Sequence, residues 1–399
     1  MPVQVQSLQP EEKPTQEALI DTAHAMREAL IERRDEDDRL CSLSPKTVDE
    51  FKKAGFFRIL QPAAKGGLEL PAVTLFQLEI ALAEADMSAA WVVANMGAAT
   101  FHAALFGPRA QNEIWEQTPD ALVSTANMPG GKLVRCSDGT YTLSGRWRFS
   151  SGVEYADWIL LGAVAEIDGK PVVGSCLVPR YDIEIIPDWD VVGLRGTGSH
   201  GIRVKSANLP RYRFLPHRSR FDGSSPGLAV NRGTLYQLPL PQLLFRAISS
   251  ASIGGLQGML DCFIKTNVGR TSMMAQKIAQ DPHVQTLCAE ISADLVSLRG
   301  ELVHDFDLMM ARGCKGDARD LELRRRSRLN VTRIPERCFL HGAKLHRAAG
   351  ASALYRSSPI LHYFNDLLAA RQHAANQYEI HARNDGAVLF GETNEDILL

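Results

Sequence analysis

The hydrophobic pattern of this 399-residue chain changes its period twice, and this constrains the fold more than any other feature. From Thr15 to about residue 115, apolar residues recur every three or four positions, as they do on one face of a helix. From Ala121 to Phe214, short β-forming runs alternate with turns such as those at 137–139 and 168–169. Long helical patterns then return. We therefore expect helices, roughly six or more strands, and helices again.

Individual segments refine this order. A helix is predicted from Thr15 to about Arg39, and residues 75–106 predict two largely buried helices with acidic residues at their junction. Residues 219–242 are rich in Gly, Pro and Ser and are expected to form a loop over a surface or a site. Four long helical patterns follow, at 243–267, 282–312, 317–349 and 359–382.

Four helices of such length predict a bundle. The fold class expected is therefore α+β, in three domains. These are an N-terminal helical domain over residues 1–118, a middle β-barrel or sandwich domain over 119–220, and a C-terminal four-helix bundle over 221–399.

Composition excludes several kinds of partner. The chain has 44 basic and 46 acidic residues, so no strongly basic surface for nucleic acid is expected. The basic triplet from Arg324 to Arg326 lies in a helical pattern and is expected to be a solvated face. Seven cysteines without C-x-x-C or Cys/His pairing predict neither zinc nor disulfides, and they suit a reducing cytoplasm. Neither a secretory signal nor a run of about 18 apolar residues occurs, so export and membrane insertion are not expected.

Four segments combine with the order of elements to indicate a family. They are GFFRILQPAAKGGLEL, LSGRWRFSSG, GLRGTGSHGIRV and a late arginine-containing helix. Together they resemble the acyl-CoA dehydrogenase fold over residues 15–399. Within that fold, the chain resembles the oxygenase components of two-component flavin-dependent monooxygenases, such as 4-hydroxyphenylacetate 3-hydroxylase and the secosteroid phenol hydroxylase.

The resemblance implies an activity and its partners. Reduced FMN or reduced FAD would react with dioxygen, the co-substrate, to give a flavin hydroperoxide that hydroxylates a small phenolic or indolic substrate. No G-x-G-x-x-G opens a helix after a strand, so a Rossmann-type nicotinamide site is not apparent. A separate NAD(P)H-dependent flavin reductase is therefore expected as a partner. The family also implies a cytoplasmic homotetramer.

The strand end LSGRWRFSSG is expected to meet the flavin. Trp147 and Phe149 would supply a flat apolar wall, with hydrogen-bonding groups at its edge. By resemblance, Ser150 or Ser151 would hydrogen-bond the central nitrogen of the flavin. The alternative is a packed strand with a capped turn. The following turn, GLRGTGSH, is expected to be structural, with Arg195 near the site.

Two further segments are expected to bind the flavin. In STANMPGG, the resemblance gives Ser124, Thr125 and Asn127 the role of holding the ring, and the alternative is an ordinary strand-to-turn junction. In NVGRTSMMAQ, an arginine of one subunit would reach the flavin phosphate of its neighbour, because a guanidinium with adjacent hydroxyls suits a phosphate. This role falls to Arg270 with the hydroxyls of Thr271 and Ser272.

The last helical pattern carries the proposed catalytic residue. Acyl-CoA dehydrogenases often have a glutamate base late in the bundle, whereas this chain has His373, Ala374 and Ala375 at the matching positions. By resemblance, His373 matches the histidine of the monooxygenases. A histidine can accept a phenolic proton near neutral pH. The alternative is a histidine on a helix face that is hydrogen-bonded to its surroundings.

Four residues are expected near the substrate. His102 lies on a strongly apolar helix and is a candidate for contact with the substrate hydroxyl or for catalysis, and a buried structural histidine is the alternative. Tyr363 and Phe364 precede His373 by nearly three helical turns. Leu368 stands where some phenol-hydroxylating relatives carry a polar group, which favours a more apolar ring such as an indole.

Two other functions stay open at this point. One is an acyl-CoA dehydrogenase that takes its base from elsewhere, for instance Glu379. The other is a flavin-free helical interaction protein on the same scaffold.

Overall fold

The computed structural model describes residues 13–271, 277–316 and 319–396. In these ranges helices, a β-sheet and further helices follow one another, as the hydrophobic periods predict. The expected α+β class is confirmed. The domain boundaries at 118/119 and 220/221 stay predictions.

From residue 13 onward, where the described structure begins, the first part contains six α-helices. Side-chain caps explain where three of them begin: Thr15 accepts from Ala18 N–H, Ser44 from Thr47 N–H, and Asp86 from Ser88 N–H. The helices are α1 Gln16–Ala25, α2 Arg27–Leu40, α3 Pro45–Ala54, α4 Ala72–Ala83, α5 Met87–Ala104 and α6 Pro108–Trp115. The predicted helix from Thr15 is broken at Met26. Helix α5 is buried on all sides except at Asn95, so it forms the centre of this part.

The middle part is one seven-stranded sheet in the order β5-β6-β2-β1-β3-β4-β7. Its strands are β1 Val123–Arg135, β2 Tyr141–Ser150, β3 Trp158–Ile167, β4 Lys170–Pro179, β5 Glu184–Ile186, β6 His200–Leu209 and β7 Phe214–Pro216. The β1–β2 and β3–β4 hairpins turn at the two predicted positions. Gly139 and Gly169 adopt positive φ there.

Seven α-helices follow among the described residues, and two of the predicted long helices are interrupted. The helices are α7 Ser219–Asp222, α8 Leu240–Ala247, α9 Ala251–Asn267, α10 Pro282–Gly313, α11 Leu321–Ala349, α12 Pro359–Arg371 and α13 Tyr378–Leu389. The prediction of unbroken helices over 243–267 and 359–382 is wrong. The two breaks meet in space, because Asn376 Nδ2 donates to Ile248 O and to Ala370 O, both at 2.8 Å.

Within the described residues, every helix is too short or too polar to cross a membrane.

Candidate active site

A chain of hydroxyl groups runs along the edge of the β-sheet beside helix α5. Trp91 Nε1 donates to Ser151 Oγ at 3.2 Å, and Ser151 Oγ lies 2.8 Å from Ser199 Oγ. Ser199 Oγ lies 2.7 Å from Thr197 Oγ1, which donates to Leu194 O at 2.8 Å. All of these side chains are buried, so each hydroxyl is oriented by its neighbours rather than by bulk water.

The turn after β2 brings Ser151 to this position. Gly152 adopts a φ of +68°, and a Cβ there would lie 2.7 Å from Met96 Sδ on α5. Glycine is therefore required for the turn to approach the helix so closely. The Ser-Ser-Gly sequence thus places a hydroxyl against α5.

His373 lies at the helix break and packs against Trp91. The imidazole and indole centroids are 5.9 Å apart. His373 Nδ1 accepts a hydrogen bond from Ala375 N–H at 3.1 Å, which caps the short helical turn after the break. Burial, with a smaller contribution from Arg328, lowers the pKa of His373 to about 4. The ring is therefore neutral at neutral pH.

The prediction that His373 lies within a helix is wrong, because α12 ends at Arg371. With Nδ1 accepting from Ala375 N–H, the neutral ring carries its proton on Nε2. In this tautomer the free nitrogen is a hydrogen-bond donor.

A buried ion pair supports the far end of the hydroxyl chain. Asp366 Oδ1 accepts from Leu194 N–H at 2.6 Å, and Asp366 Oδ2 lies 3.3 Å from His362 Nε2. Leu194 adopts a φ of +54°, a conformation that is rare for residues other than glycine. The Leu194 carbonyl accepts from Thr197. Asp366 therefore positions the residue on which the hydroxyl chain ends.

Arg195 also holds the loop that carries Thr197 and Ser199. Arg195 Nε donates to Asp38 O at 3.1 Å, and its Nη1 pairs with Asp190 Oδ1 at 2.9 Å. Arg195 therefore ties this loop to helix α2.

The hydroxyls predicted in β1 lie beside this chain. Ser124 Oγ lies 2.9 Å from Ser150 Oγ and donates to Ser151 O at 2.8 Å. Thr125 Oγ1 donates to Leu160 O, and Asn127 Oδ1 accepts from Ser175 Oγ at 3.0 Å. The β1–β3 pairing shifts register between Ala126 and Gly131, so the ladder between these two inner strands is interrupted at this point.

Trp147 and Phe149 do not form one wall, contrary to the sequence prediction. A register shift between Trp147 and Ser150 turns the two rings to different sides. Trp147 is 3% exposed and donates to Gly162 O at 2.7 Å, inside the sheet domain. Phe149 is 62% exposed at a φ of +64°, with its ring 6.0 Å from that of Trp189. Phe149 and Trp189 are thus the aromatic pair open to a ligand.

Two of the three predicted substrate contacts on α12 have structural partners instead. Tyr363 is 2% exposed, accepts from Arg34 Nη2 and donates to Glu84 O at 2.6 Å. Phe364 stacks on His346 with centroids 4.7 Å apart. Both rings join α12 to neighbouring helices, and their role as substrate contacts stays a prediction. Leu368 is half-buried, and its role stays a prediction.

His102 is fully buried, and within the described residues neither ring nitrogen has a hydrogen-bond partner. It lies on α5 eleven residues after Trp91, about 16 Å along the helix and on the same face. Burial, together with Arg220 and His217, keeps the pKa of His102 well below its usual value. A neutral buried imidazole without partners is suited to bind a polar group of a ligand.

Arg270 lies at the opposite end of the bundle from His373. Its Nη1 donates to Ser352 Oγ at 3.1 Å and to Ala349 O at 3.3 Å, beside a cavity of about 240 Å³. Helix α9, 17 residues or about 25 Å long, separates it from the helix break that holds His373. Thr271 is exposed beside it, and Ser272 lies outside the described residues.

Sequence reasoning missed Trp91, Thr197, Ser199 and Asp366. One signal existed for two of them: GTGSH places two hydroxyl residues in a glycine-rich turn, which was interpreted as structural alone. Trp91 and Asp366 each lie within a helical pattern. That pattern is equally consistent with Trp91 as an ordinary packing residue and with Asp366 as an ordinary surface residue. Only the meeting of α5, α12 and the β-domain reveals their role.

Known proteins with similar sequences belong to the family that the sequence resembles. A family model described as "Acyl-CoA dehydrogenase, C-terminal domain" matches residues 246–378. The oxygenase subunit HsaA of a flavin-dependent monooxygenase from Mycobacterium tuberculosis is 33% identical over 353 residues, 88% of this chain and 89% of that protein. The oxygenase component of an FADH2-dependent resorcinol hydroxylase from a Rhizobium species is 32% identical over 250 residues, 60% of this chain and 61% of its own length.

Solved structures agree with these relatives. The crystal structure of the HsaA monooxygenase from M. tuberculosis superposes with a TM-score of 0.91 at 31% identity, covering 97% of this chain and 100% of that chain. The family and fold predicted from the sequence are confirmed. The chain belongs to the oxygenase subunits of flavin-dependent monooxygenases, which have the acyl-CoA dehydrogenase fold.

Proposed function

We propose that this chain is the oxygenase component of a two-component system that hydroxylates a phenolic or indolic ring. The observation that carries the proposal is the neutral His373 packed on Trp91, which donates to Ser151 in the buried hydroxyl chain. The resorcinol hydroxylase among the relatives is named for a phenolic substrate, which supports the substrate class.

The residues present suit a flavin. Phe149 offers an exposed aromatic ring beside the partly buried Trp189, and Ser151 at 9% exposure keeps a hydroxyl near the surface of the site. Ser150 has no exposed surface, so of the two serines Ser151 is the one that we assign to the flavin ring. Thr125 and Asn127 lie on β1 beside this register shift and are assigned to the ring as well. Reduced FMN or FAD, supplied by a separate reductase, provides the electrons that activate dioxygen.

His373 is assigned to the substrate. Because its proton lies on Nε2, it donates a hydrogen bond to the substrate oxygen and so favours the ionised phenol. Ionisation raises the electron density of the ring at the position that receives oxygen. The sequence predicts His373 as a proton acceptor, whereas in this proposal it is a hydrogen-bond donor. The imidazole therefore stays neutral throughout.

Arg270 is assigned to the flavin phosphate of a neighbouring copy. It lies too far along α9 to reach Ser151 within its own protomer. The proposed assembly is a homotetramer, and sedimentation analysis of the purified protein tests it.

Rapid mixing tests the proposed function. Purified protein loaded with chemically reduced FMN or FAD is mixed with dioxygen, and a transient absorbance distinct from both reduced and oxidised flavin is expected. Immediate conversion to oxidised flavin with both cofactors would contradict the proposal.

An acyl-CoA dehydrogenase activity is not supported by this site. Glu379, the alternative base, has a side chain 69% exposed and pairs with Arg371 at 3.4 Å. Anaerobic addition of an acyl-CoA thioester to the FAD-loaded protein is therefore expected to leave the flavin oxidised.

A further inference from the structure

The hydroxyl chain beside α5 has a single direction. Leu194 O can only accept, so Thr197 Oγ1, 2.8 Å away, directs its one hydrogen to that carbonyl. The 2.7 Å contact between Ser199 Oγ and Thr197 Oγ1 is therefore donated by Ser199. For the same reason, Ser151 donates the 2.8 Å contact between Ser151 Oγ and Ser199 Oγ. Every hydrogen in the chain thus points away from Ser151 and toward Leu194.

This direction fixes what Ser151 offers to a ligand. Its hydrogen is directed to Ser199, and Trp91 Nε1–H donates to its oxygen at 3.2 Å. A hydroxyl has one hydrogen and two lone pairs. Among the contacts of the described residues, one lone pair of Ser151 Oγ is left. Ser151 can therefore accept a further hydrogen bond but has no hydrogen left to donate.

Burial keeps the chain from reversing. Thr197 is 1% exposed and Ser199 is 5% exposed, so bulk water does not replace their partners. The end of the chain is fixed as well, because Asp366 Oδ1 accepts from Leu194 N–H at 2.6 Å. A reversed chain would leave Leu194 O without the Thr197 hydroxyl, and an unpaired buried polar group costs free energy.

The two redox states of a flavin differ in the group that they present to such an acceptor. The N5 atom of the central ring carries a hydrogen in reduced flavin, whereas in oxidised flavin N5 has a lone pair and no hydrogen. Reduced flavin can therefore donate from N5 to the free lone pair of Ser151 Oγ. Oxidised flavin would place one lone pair against another at the same position.

We propose that Thr197 and Ser199 are positioning residues that make the site selective for reduced flavin. They act by holding Ser151 as a hydrogen-bond acceptor toward N5. This inference rests on the proposed function, since it specifies how the same site distinguishes the two states of its cofactor.

Equilibrium binding of both redox states tests the proposal. The full-length protein is titrated with oxidised FMN and FAD, and, without oxygen, with the chemically reduced forms of both. Since one hydrogen bond is at stake, we expect the natural protein to bind reduced flavin at least about tenfold more tightly than oxidised flavin. Equal affinities for the two states would overturn the proposal.

Thr197→Val removes the hydroxyl at nearly constant shape. Ser199 then lacks its acceptor and donates to Ser151 instead, so the Ser151 hydrogen is released toward the ligand. Affinity for oxidised flavin is expected to rise about tenfold, and affinity for reduced flavin is expected not to rise. The midpoint potential of the bound flavin is then expected to fall by about 30 mV, the equivalent of a tenfold change for two electrons.

Ser199→Ala tests the same direction at the next link. It removes the acceptor of the Ser151 hydrogen, so a gain in affinity for oxidised flavin is expected again. This variant keeps the test decisive if Thr197→Val does not fold. A purely structural role of the two residues would weaken binding of both redox states by the same factor, and that result would overturn the proposal.

Thr74→Val is the matched control. Thr74 is buried on α4, and its hydroxyl donates to Gln16 Oε1 at 2.7 Å, away from the hydroxyl chain. This variant is expected to change neither affinity, and a gain for oxidised flavin as large as in Thr197→Val would overturn the assignment. Failure of the natural protein to bind either redox state would overturn the proposed function itself. Binding of both states with the same ratio of affinities in all folded variants would overturn this inference alone.

Discussion

The indole N–H of Trp91 donates to Ser151 Oγ over 3.2 Å, and the ring centroids of Trp91 and His373 are 5.9 Å apart. One side chain of α5 therefore joins the hydroxyl chain of the β-domain to the helix break of the C-terminal part. The site exists only where three parts of the fold meet.

Trp91→Phe keeps an aromatic ring and removes the N–H donor. A hydrogen bond of this kind contributes about 1 kcal/mol, and Ser151 loses part of its orientation with it. We expect hydroxylated product per reduced flavin consumed to fall about fivefold, with the balance appearing as hydrogen peroxide. Trp115→Phe is the matched control, because the N–H of Trp115 is buried and unpaired within the described residues. A fall of similar size in Trp115→Phe would contradict the role of the Trp91 N–H.

Asp366 positions the hydroxyl chain through Leu194. Asp366→Ala removes the acceptor of the Leu194 N–H and one of the two carboxylates beside His362, and it is expected to destabilise the protein by about 3 kcal/mol in urea unfolding. Asp366→Asn keeps an acceptor for Leu194, so the product yield per flavin is expected to stay near that of the natural protein. Equal loss of yield in the Asn and Ala variants, both shown to be folded, would show that Leu194 orientation is not the cause.

The hydrogen bonds of Tyr363 indicate a structural role, which a substitution tests. Tyr363→Phe removes the hydroxyl between Arg34 and Glu84 O, and a loss of about 1–2 kcal/mol in unfolding free energy is expected. Substrate affinity is expected to be unchanged. Tyr355→Phe, at a residue that is 70% exposed, serves as the control for loss of a phenol group. Weaker substrate binding without loss of stability would restore the sequence prediction.

His362 gives the fold a dependence on alkaline pH. Burial alone would lower its pKa, but Asp366 and Asp38 outweigh burial and raise the pKa to about 10. Between an unfolded pKa of about 6.5 and this value the native state binds more protons, so the stabilisation is complete below pH 6.5 and is lost as the pH rises through 10.

Urea unfolding from pH 6 to pH 10 measures this effect. The difference in stability between the natural protein and His362→Gln is expected to shrink steadily as the pH rises. A difference that is constant over this range would contradict the raised pKa.

Much of the fold was accessible from the sequence because it depends on local period. The alternation in β1 to β4, the turns at Gly139 and Gly169, and the buried pattern of α5 are each encoded within about twenty residues. The breaks after Ala247 and Arg371 were not, because both segments keep a helical pattern across the break. What ends each helix is the Asn376 amide, which bonds Ile248 O from a distant part of the chain.

Part of the candidate site was also accessible from the sequence. Ser151 and His373 were found through resemblance, and both lie at the centre of the observed arrangement. Trp91 and Asp366 became visible only through their partners on other elements. The expectation that the basic triplet from Arg324 to Arg326 is a solvated face is wrong for Arg324, which is 5% exposed, since a helical pattern alone does not say which face other elements cover.

The most direct test concerns His373. His373→Ala is combined with reduced flavin, dioxygen and a phenolic substrate in rapid-mixing and product analysis. The account predicts that the oxygen-dependent transient forms as in the natural protein, while hydroxylated product falls at least a hundredfold, about 3 kcal/mol in the barrier, and hydrogen peroxide takes its place. A variant that still gives hydroxylated product in the natural yield would contradict the account.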